Sequence, residues 1–189
     1  MKTGALLLAA GSSRRFRAAK LLADLEGQPL IAHAAHALKT AGRETLVVTG
    51  ANADAIRTAL KPLNLHFVHA PDHALGMAHS LRAGLAAAPK DWDAALIMLA
   101  DMPDLEPEFL AQLAATPGIA VPIWKGRRGN PVRWPRAHWP ALMALNGDTG
   151  AKKLLASFNI TEVPAPSNAI HRDIDTPEAL AEALAARAP

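Results

Sequence analysis

The sequence predicts an α/β fold of three layers, with helices on both faces of a mostly parallel sheet, and three observations carry that expectation. Short apolar runs alternate with helical stretches of about a dozen residues, which is the pattern of βαβ units. The first run, residues 5–9 (ALLLA), stops at Gly11-Ser12-Ser13, as a buried strand bounded by a turn does. Hydrophobic residues form 50% of the 189-residue chain while aromatics form only 4%, the bias expected of Ala-rich helices laid on a sheet. The length suits one domain, residues 1–189, with a core large enough to fold alone.

Each element follows in order. Residues 29–41 (PLIAHAAHALKTA) read as a helix, with Pro29 near its start and Gly42 at its end. His33 and His36 lie three apart on it, a spacing that without a carboxylate partner reads as packing rather than metal binding. Residues 44–50 (ETLVVTG) form a second strand, and Asn52 caps a helix running to about Leu60. A third strand at 65–70 (LHFVHA) leads into a loop that opens a helix near Met77. The fourth strand, 94–100 (AALIMLA), is the most apolar and ends in Asp101-Met102-Pro103-Asp104. A helix at 106–115 and a fifth strand at 119–124 (IAVPIW) follow.

Beyond Trp124 the pattern is less regular. Residues 125–131 (KGRRGNP) read as a basic turn, 132–134 as a short strand and 139–145 as a helix. A turn at 146–150 leads to a helix over 151–158, then an edge strand at 161–164 and a short strand or extended piece at 171–175. Thr176 caps the last helix, with Pro177 in its first position and Glu178 in its first turn.

Composition removes several classes of function. With no Cys there are no disulfides, thiolate metal sites or Cys nucleophiles. No stretch of 18 apolar residues offers a membrane span. The N-terminal apolar run lacks the length and cleavage pattern of a signal peptide, so a soluble cytoplasmic protein is expected. The formal charge is +3 and the pI about 9.5, yet the cations form no long runs and match no nucleic-acid motif, so no nucleic-acid partner is expected.

The chemistry concentrates after the first strand. Arg14, Arg15, Arg17 and Lys20 fall within seven positions of a Gly-Ser turn. Small residues let backbone N–H groups approach an anion, and the cations neutralise it. A solvated basic loop is the alternative. The segment is neither a G-x-G-x-x-G dinucleotide fingerprint nor a G-x-x-x-x-G-K-[ST] P-loop. In a parallel sheet, ligands sit beyond the carboxyl ends of the strands. The first loop and Asp101, after the fourth strand, therefore share one rim.

These residues carry a resemblance. LAAGSSRRFRAAKLL at 8–22 resembles the LAAGxSxRxGxxKLL signature of the MobA-like nucleotidyltransferases. Further blocks resemble the same family in its own order: GMAHSLRAGL at 76–85, LADMP at 99–103, GRRGNPV at 126–132, GDTGAKKLL at 147–155 and DIDTPEAL at 173–180. Three positions depart from the pattern: Arg17 stands at a usual Gly, His79 at a usual small or hydroxyl residue, and Asn130 at a common His. The resemblance implies a Rossmann-like domain that joins a nucleoside triphosphate to a phosphorylated small-molecule acceptor. The branch it most resembles is molybdenum cofactor cytidylyltransferase, which implies CTP, molybdopterin, Mg²⁺ and a molybdoenzyme as recipient. Acceptors such as a sugar phosphate or methylerythritol phosphate, or a non-catalytic cofactor chaperone, are the alternatives.

Site residues follow from that resemblance. The binding segment is Leu8, Ala9, Ala10, Gly11, Ser12 and Ser13, whose last three backbone N–H groups hold the terminal phosphates. Arg15 adds charge there, and Lys20 reaches the α-phosphate. Gly76 to Ser80, with Arg82, form a helix start that suits nucleobase or acceptor-phosphate contacts, the alternative being an ordinary helix cap with Arg82 solvated. Ala10, where guanylyl-transferring relatives more often carry Gly, favours cytosine. Asp101 suits Mg²⁺ as a hard oxygen ligand, the alternative being a cap of the turn before Pro103. Asp173 and Asp175 are two apart and face one side of an extended segment. Asp175 is the expected second ligand, with a cap of the last helix as its alternative role. Arg127, Arg128 and Asn130 either bind an anionic acceptor or form a solvated turn.

Overall fold

Apolar alternation along the strands sorts side chains to the two faces of one sheet. The computed structural model describes residues 1–11, 16, 19–147 and 150–187. Its strands are β1 (Thr3–Ala9), β2 (Asp24–Leu25), β3 (Gln28–Pro29), β4 (Thr45–Thr49) and β5 (His66–His69), then β6 (Ala94–Leu99), β7 (Ile119–Trp124), β8 (Arg127–Arg128), β9 (Val132–Pro135) and β10 (Ile160–Pro164). The α-helices are α1 (Leu30–Thr40), α2 (Ala53–Ala59), α3 (Met77–Ala87), α4 (Pro107–Ala115), α5 (Trp139–Met143) and α6 (Pro177–Ala185).

The main sheet runs β10-β7-β9-β6-β1-β4-β5, with β8 paired to β7. β5, β4, β1 and β6 are mutually parallel, β10 is parallel to β7, and β9 runs antiparallel between β6 and β7. The sheet is thus mixed and mostly parallel. β2 and β3 form a separate antiparallel hairpin.

Two cores cover the two faces. On β1, Ala5, Leu7 and Ala9 join one cluster while Leu6, with Ala10 just past the strand, joins the other; on β4, Val47 goes one way and Leu46 and Val48 the other. This period-2 division is the pleat of a strand buried on both sides. The first cluster takes side chains from α1, α2 and α4, and the second from α3 and α5. Helices therefore form layers on both faces. A third, small cluster of Phe16, Leu25, Leu30, Ile174 and Ala183 seats α6 against the hairpin. No helix among the described residues is long and apolar enough to cross a membrane.

Several local expectations differ from the structure. Residues Ala151–Ser157 form a 3₁₀ segment rather than an α-helix; Gly150 ahead of it supplies no side-chain cap. Asn52 precedes α2 but takes a left-handed conformation and makes no side-chain cap. Of the short strand or extended piece expected at 171–175, His171 closes a 3₁₀ turn (Asn168–His171) and 172–175 are the extended piece, bonded to the turn at Asp101 rather than to a strand. The basic turn at 125–131 contains the short strand β8, on which Arg128 donates to Glu162 at 2.7 Å. Thr176 does cap α6, its hydroxyl accepting from the Ala179 N–H.

Candidate active site

The register of the central strands builds the rim. Leu8 of β1 lies beside Leu99 of β6, Ala9 beside Thr49 of β4, and Thr49 beside His69 of β5. Four parallel strands therefore stop together, and the residues after them meet over one edge. There they line a cavity of about 500 Å³. Leu8, Ala9, Ala10, Gly11, Lys20, Gly76, Ser80, Asp101 and Asp175 all line it, and so do Asp173, His73, Leu75 and Met77.

One wall is charged. Lys20 opens a short 3₁₀ turn whose Leu21 is held in the core with α1. Its ammonium donates to Asp101 Oδ2 at 2.6 Å and to Asp175 Oδ1 at 2.8 Å. Asp175 arrives from far along the chain because the Ile174 N–H donates to the Asp101 carbonyl at 3.0 Å and the Ile174 side chain is buried in the third cluster. Arg172, two positions earlier, pairs with Asp104 at 3.3 Å, and Arg187 after α6 pairs with the same carboxylate. With Ile174 pointing into the core, Asp173 and Asp175 both turn outward to Asp101. The three carboxylates can each offer an oxygen within 4.8 Å of the others, which is a donor set for a divalent cation.

The electrostatics of this wall are strained in one specific way. Asp101 Oδ1 is buried without a hydrogen-bond partner among the described residues. An orphaned buried carboxylate oxygen is costly and fits the role of a cation ligand. Burial opposes the Lys20 charge, but the charges and hydrogen bonds of Asp101 and Asp175 outweigh it and hold the ammonium's pKa above its ordinary value. Burial pushes the Asp173 carboxyl up, and the neighbouring Asp175 and Asp101 charges push it further; Asp173 remains the most exposed of the three.

The opposite wall is uncharged. It comes from the start of α3, where Gly76 sits at φ +119° and ψ 172°, a conformation essentially reserved for glycine. Ser80 is buried on the first turn of α3, whereas Leu75 and Met77 are exposed at the lip. Arg82, one turn further, is committed to structure: its guanidinium donates to the Met143 and Leu145 carbonyls at 2.9 and 2.8 Å.

Of the residues singled out in the sequence, Ser12, Ser13, Arg14, Arg15 and Arg17 lie outside the described residues. Sequence reasoning gave no site role to His73 or Leu75, and it left the choice of a second carboxylate between Asp173 and Asp175, which the structure brings together with Asp101. The available signal was position: 73–76 precede the helix that starts at Met77. His33 is a packing residue, its Nε2 bonded to the Leu25 carbonyl at 2.8 Å.

A mostly parallel sheet whose strand ends converge on Lys20 and a carboxylate cluster is the arrangement of α/β proteins that take ligands beyond the carboxyl ends of their strands. The family model for the MobA-like NTP transferase domain matches residues 5–163, and the chain belongs to that family. It is 35% identical over 128 residues to the bifunctional protein GlmU of Mycobacterium sp. (strain KMS), covering 63% of this chain and 26% of that protein. The chain thus spans about a quarter of the length of that relative. It is 30% identical over 192 residues to nicotine blue oxidoreductase of Paenarthrobacter nicotinovorans, covering 93% of both. Among solved structures it resembles Rv0371c of Mycobacterium tuberculosis H37Rv, with 26% identity, a TM-score of 0.83 and 98% of both chains covered. A second structure of Rv0371c, described as a manganese complex, matches at 24% identity and a TM-score of 0.84 over 98% of this chain and 99% of that one.

Proposed function

We propose that this protein transfers a nucleotidyl group from a nucleoside triphosphate to a phosphorylated acceptor, releasing pyrophosphate. The specific reaction is transfer of CMP from CTP to molybdopterin. The observation that carries this reading is the Lys20 ammonium held between Asp101 and Asp175 at the strand-end rim. Ala10 supports cytosine through the family resemblance, and the acceptor follows from the same resemblance.

The chemistry asks little of proton transfer. An acceptor phosphate oxygen attacks the α-phosphorus, a new P–O bond forms, and the bond to the bridging oxygen breaks with its electron pair leaving on pyrophosphate. The attacking group is already ionised, so positioning and charge neutralisation carry the rate. Lys20 turns from the carboxylates toward the α-phosphate and stabilises its developing charge. The backbone at Gly11, Ser12 and Ser13, with Arg15, binds the terminal phosphates. Leu8, Ala9, Ala10, Gly76 and Ser80 hold the nucleoside. Asp101, Asp173 and Asp175 would hold a divalent cation, Mg²⁺ in this proposal; the manganese complex of Rv0371c supports a cation of this kind. When bound, that cation neutralises phosphate oxygens. The proposed compartment is the cytoplasm, where triphosphates are available, and a molybdoenzyme is the proposed recipient of the product.

The test is pyrophosphate release from CTP, GTP, ATP and UTP with Mg²⁺, with and without molybdopterin. Release from CTP only when molybdopterin is present is the expected result. Release with another triphosphate or with a sugar phosphate keeps the reaction class and overturns the substrate. A second reading rests on the oxidoreductase name of the relative that matches 93% of both chains. It predicts no pyrophosphate release and turnover of a reduced cofactor instead.

A further inference from the structure

His73 belongs to the uncharged wall, and nothing in the proposed reaction uses it. Its ring is fixed from two sides. A Cβ on Gly50, just past the end of β4, would lie 2.2 Å from His73 Cδ2 and 2.6 Å from the Ala10 carbonyl oxygen. Only a residue without a side chain lets the ring and the loop after β1 close up in this way. On another side the His69 ring meets it edge-on, with centroids 6.1 Å apart and planes at 75°. The backbone of the short turn His73–Leu75 is closed by the Gly76 N–H donating to the His73 carbonyl at 3.3 Å. Cδ2 and Cγ are the ring atoms nearest Gly50, and His73 is one of the residues that line the cavity. Neither ring nitrogen has a hydrogen-bond partner among the described residues.

The two walls divide the ligand by polarity. Lys20 and the three carboxylates lie where Leu21, Ala100 and Met102 enter the first core, whereas Ala10 and α3 belong to the second, on the other face of the sheet. A polyphosphate and its cation belong at the charged wall. The less polar base belongs at the wall of Ala10, His73, Leu75 and Met77. A few polar groups, here the His73 ring and the Ser80 hydroxyl, held among apolar side chains are how a pocket reads the heteroatoms of a ligand.

The geometry points to His73 as a specificity-determining residue that hydrogen-bonds the base of the nucleotide. This rests on the proposed nucleotidyl transfer and adds to it the contact that reads the base. The experiment is calorimetric binding of CTP and, separately, of inorganic tripolyphosphate to the full chain, with Mg²⁺ and no acceptor. His73→Phe keeps an aromatic ring against Gly50 and His69 but removes both nitrogens. It is expected to weaken CTP roughly tenfold, the scale of one hydrogen bond, and to leave tripolyphosphate unchanged. His73→Gln restores a donor and an acceptor and is expected to recover most of that loss. Unchanged CTP affinity in His73→Phe overturns the inference while leaving the transfer reading intact. Equal weakening of tripolyphosphate, or equal loss in both variants with native circular dichroism, shows that the ring acts by shape or on the phosphates and also overturns it. Failure of the unsubstituted protein to bind any triphosphate overturns the transfer reading itself.

Discussion

The two walls of the cavity are built by opposite strategies. The charged wall gathers Lys20, Asp101, Asp173 and Asp175 from three distant parts of the chain, with Lys20 paired to Asp101 and Asp175 at 2.6 and 2.8 Å and Asp173 beside them. The uncharged wall is mostly one contiguous stretch, 73–80, shaped by backbone: a glycine at φ +119° and a histidine seated on another glycine. Charge needs partners from every side in a low-dielectric rim, so its wall must be assembled by tertiary structure. An apolar surface needs only shape, which a local turn can supply.

The sharpest way to break this contrast is Asp101→Ala. It removes the carboxylate that pairs with Lys20 and the orphaned buried oxygen together, and pyrophosphate release is expected to fall at least roughly a hundredfold. Circular dichroism should stay native; retained turnover would detach Asp101 from the reaction. Lys20→Met tests the same wall from the cationic side. Turnover should again drop about a hundredfold. The three carboxylates then face one another without their ammonium, so Tm without metal should fall, and millimolar Mn²⁺ should raise it by more than in the unsubstituted protein. An equal Mn²⁺ shift in both would separate Lys20 from the cation site.

On the uncharged wall, Gly76→Ala places a Cβ on a backbone that L-residues rarely adopt and should cost about 1–3 kcal/mol by denaturant titration. CTP affinity should weaken with it while Mn²⁺ binding stays unchanged, which would separate the two walls energetically. The smallest effect belongs to ion pairs outside the cavity. Lys2 pairs with Asp91 and Glu44 at 2.5 and 2.7 Å, and these bonds raise the lysine pKa and lower both carboxyl values. The carboxylates therefore contribute stability above their unfolded pKa, lost as pH falls through the lower folded values. Lys2 contributes below its unfolded pKa, lost as pH rises through the raised one. At so exposed a site Lys2→Ala should shift Tm barely beyond detection at neutral pH, and a shift as large as that of Lys20→Met would refute the contrast.

Much of the frame was legible before any coordinates. The apolar runs at 5–9, 44–50, 65–70, 94–100 and 119–124 all became strands, because continuous apolar stretches bounded by turns have few other uses. Asp101 met Ala10 and Gly11, the first residues after β1, at one rim, as parallel strands require. Less legible were segments without periodicity. The helical reading of 151–158 gave way to a 3₁₀ segment, and the extended piece at 171–175 is held by Asp101 and Asp104 rather than by a strand partner.

The sequence alone determined that this chain is a parallel α/β protein with cationic and acidic residues at strand ends, because apolar periodicity and turn residues act over a few positions and can be read there. It also carried the motif order by which the chain belongs to its family. Only the tertiary structure decided that Lys20 pairs with two aspartates 81 and 155 residues away, that Asp173 joins them, and that His73 is seated against Gly50. Those contacts depend on burial and close approach between segments that share no local signal, and burial is set only when the layers close on one another.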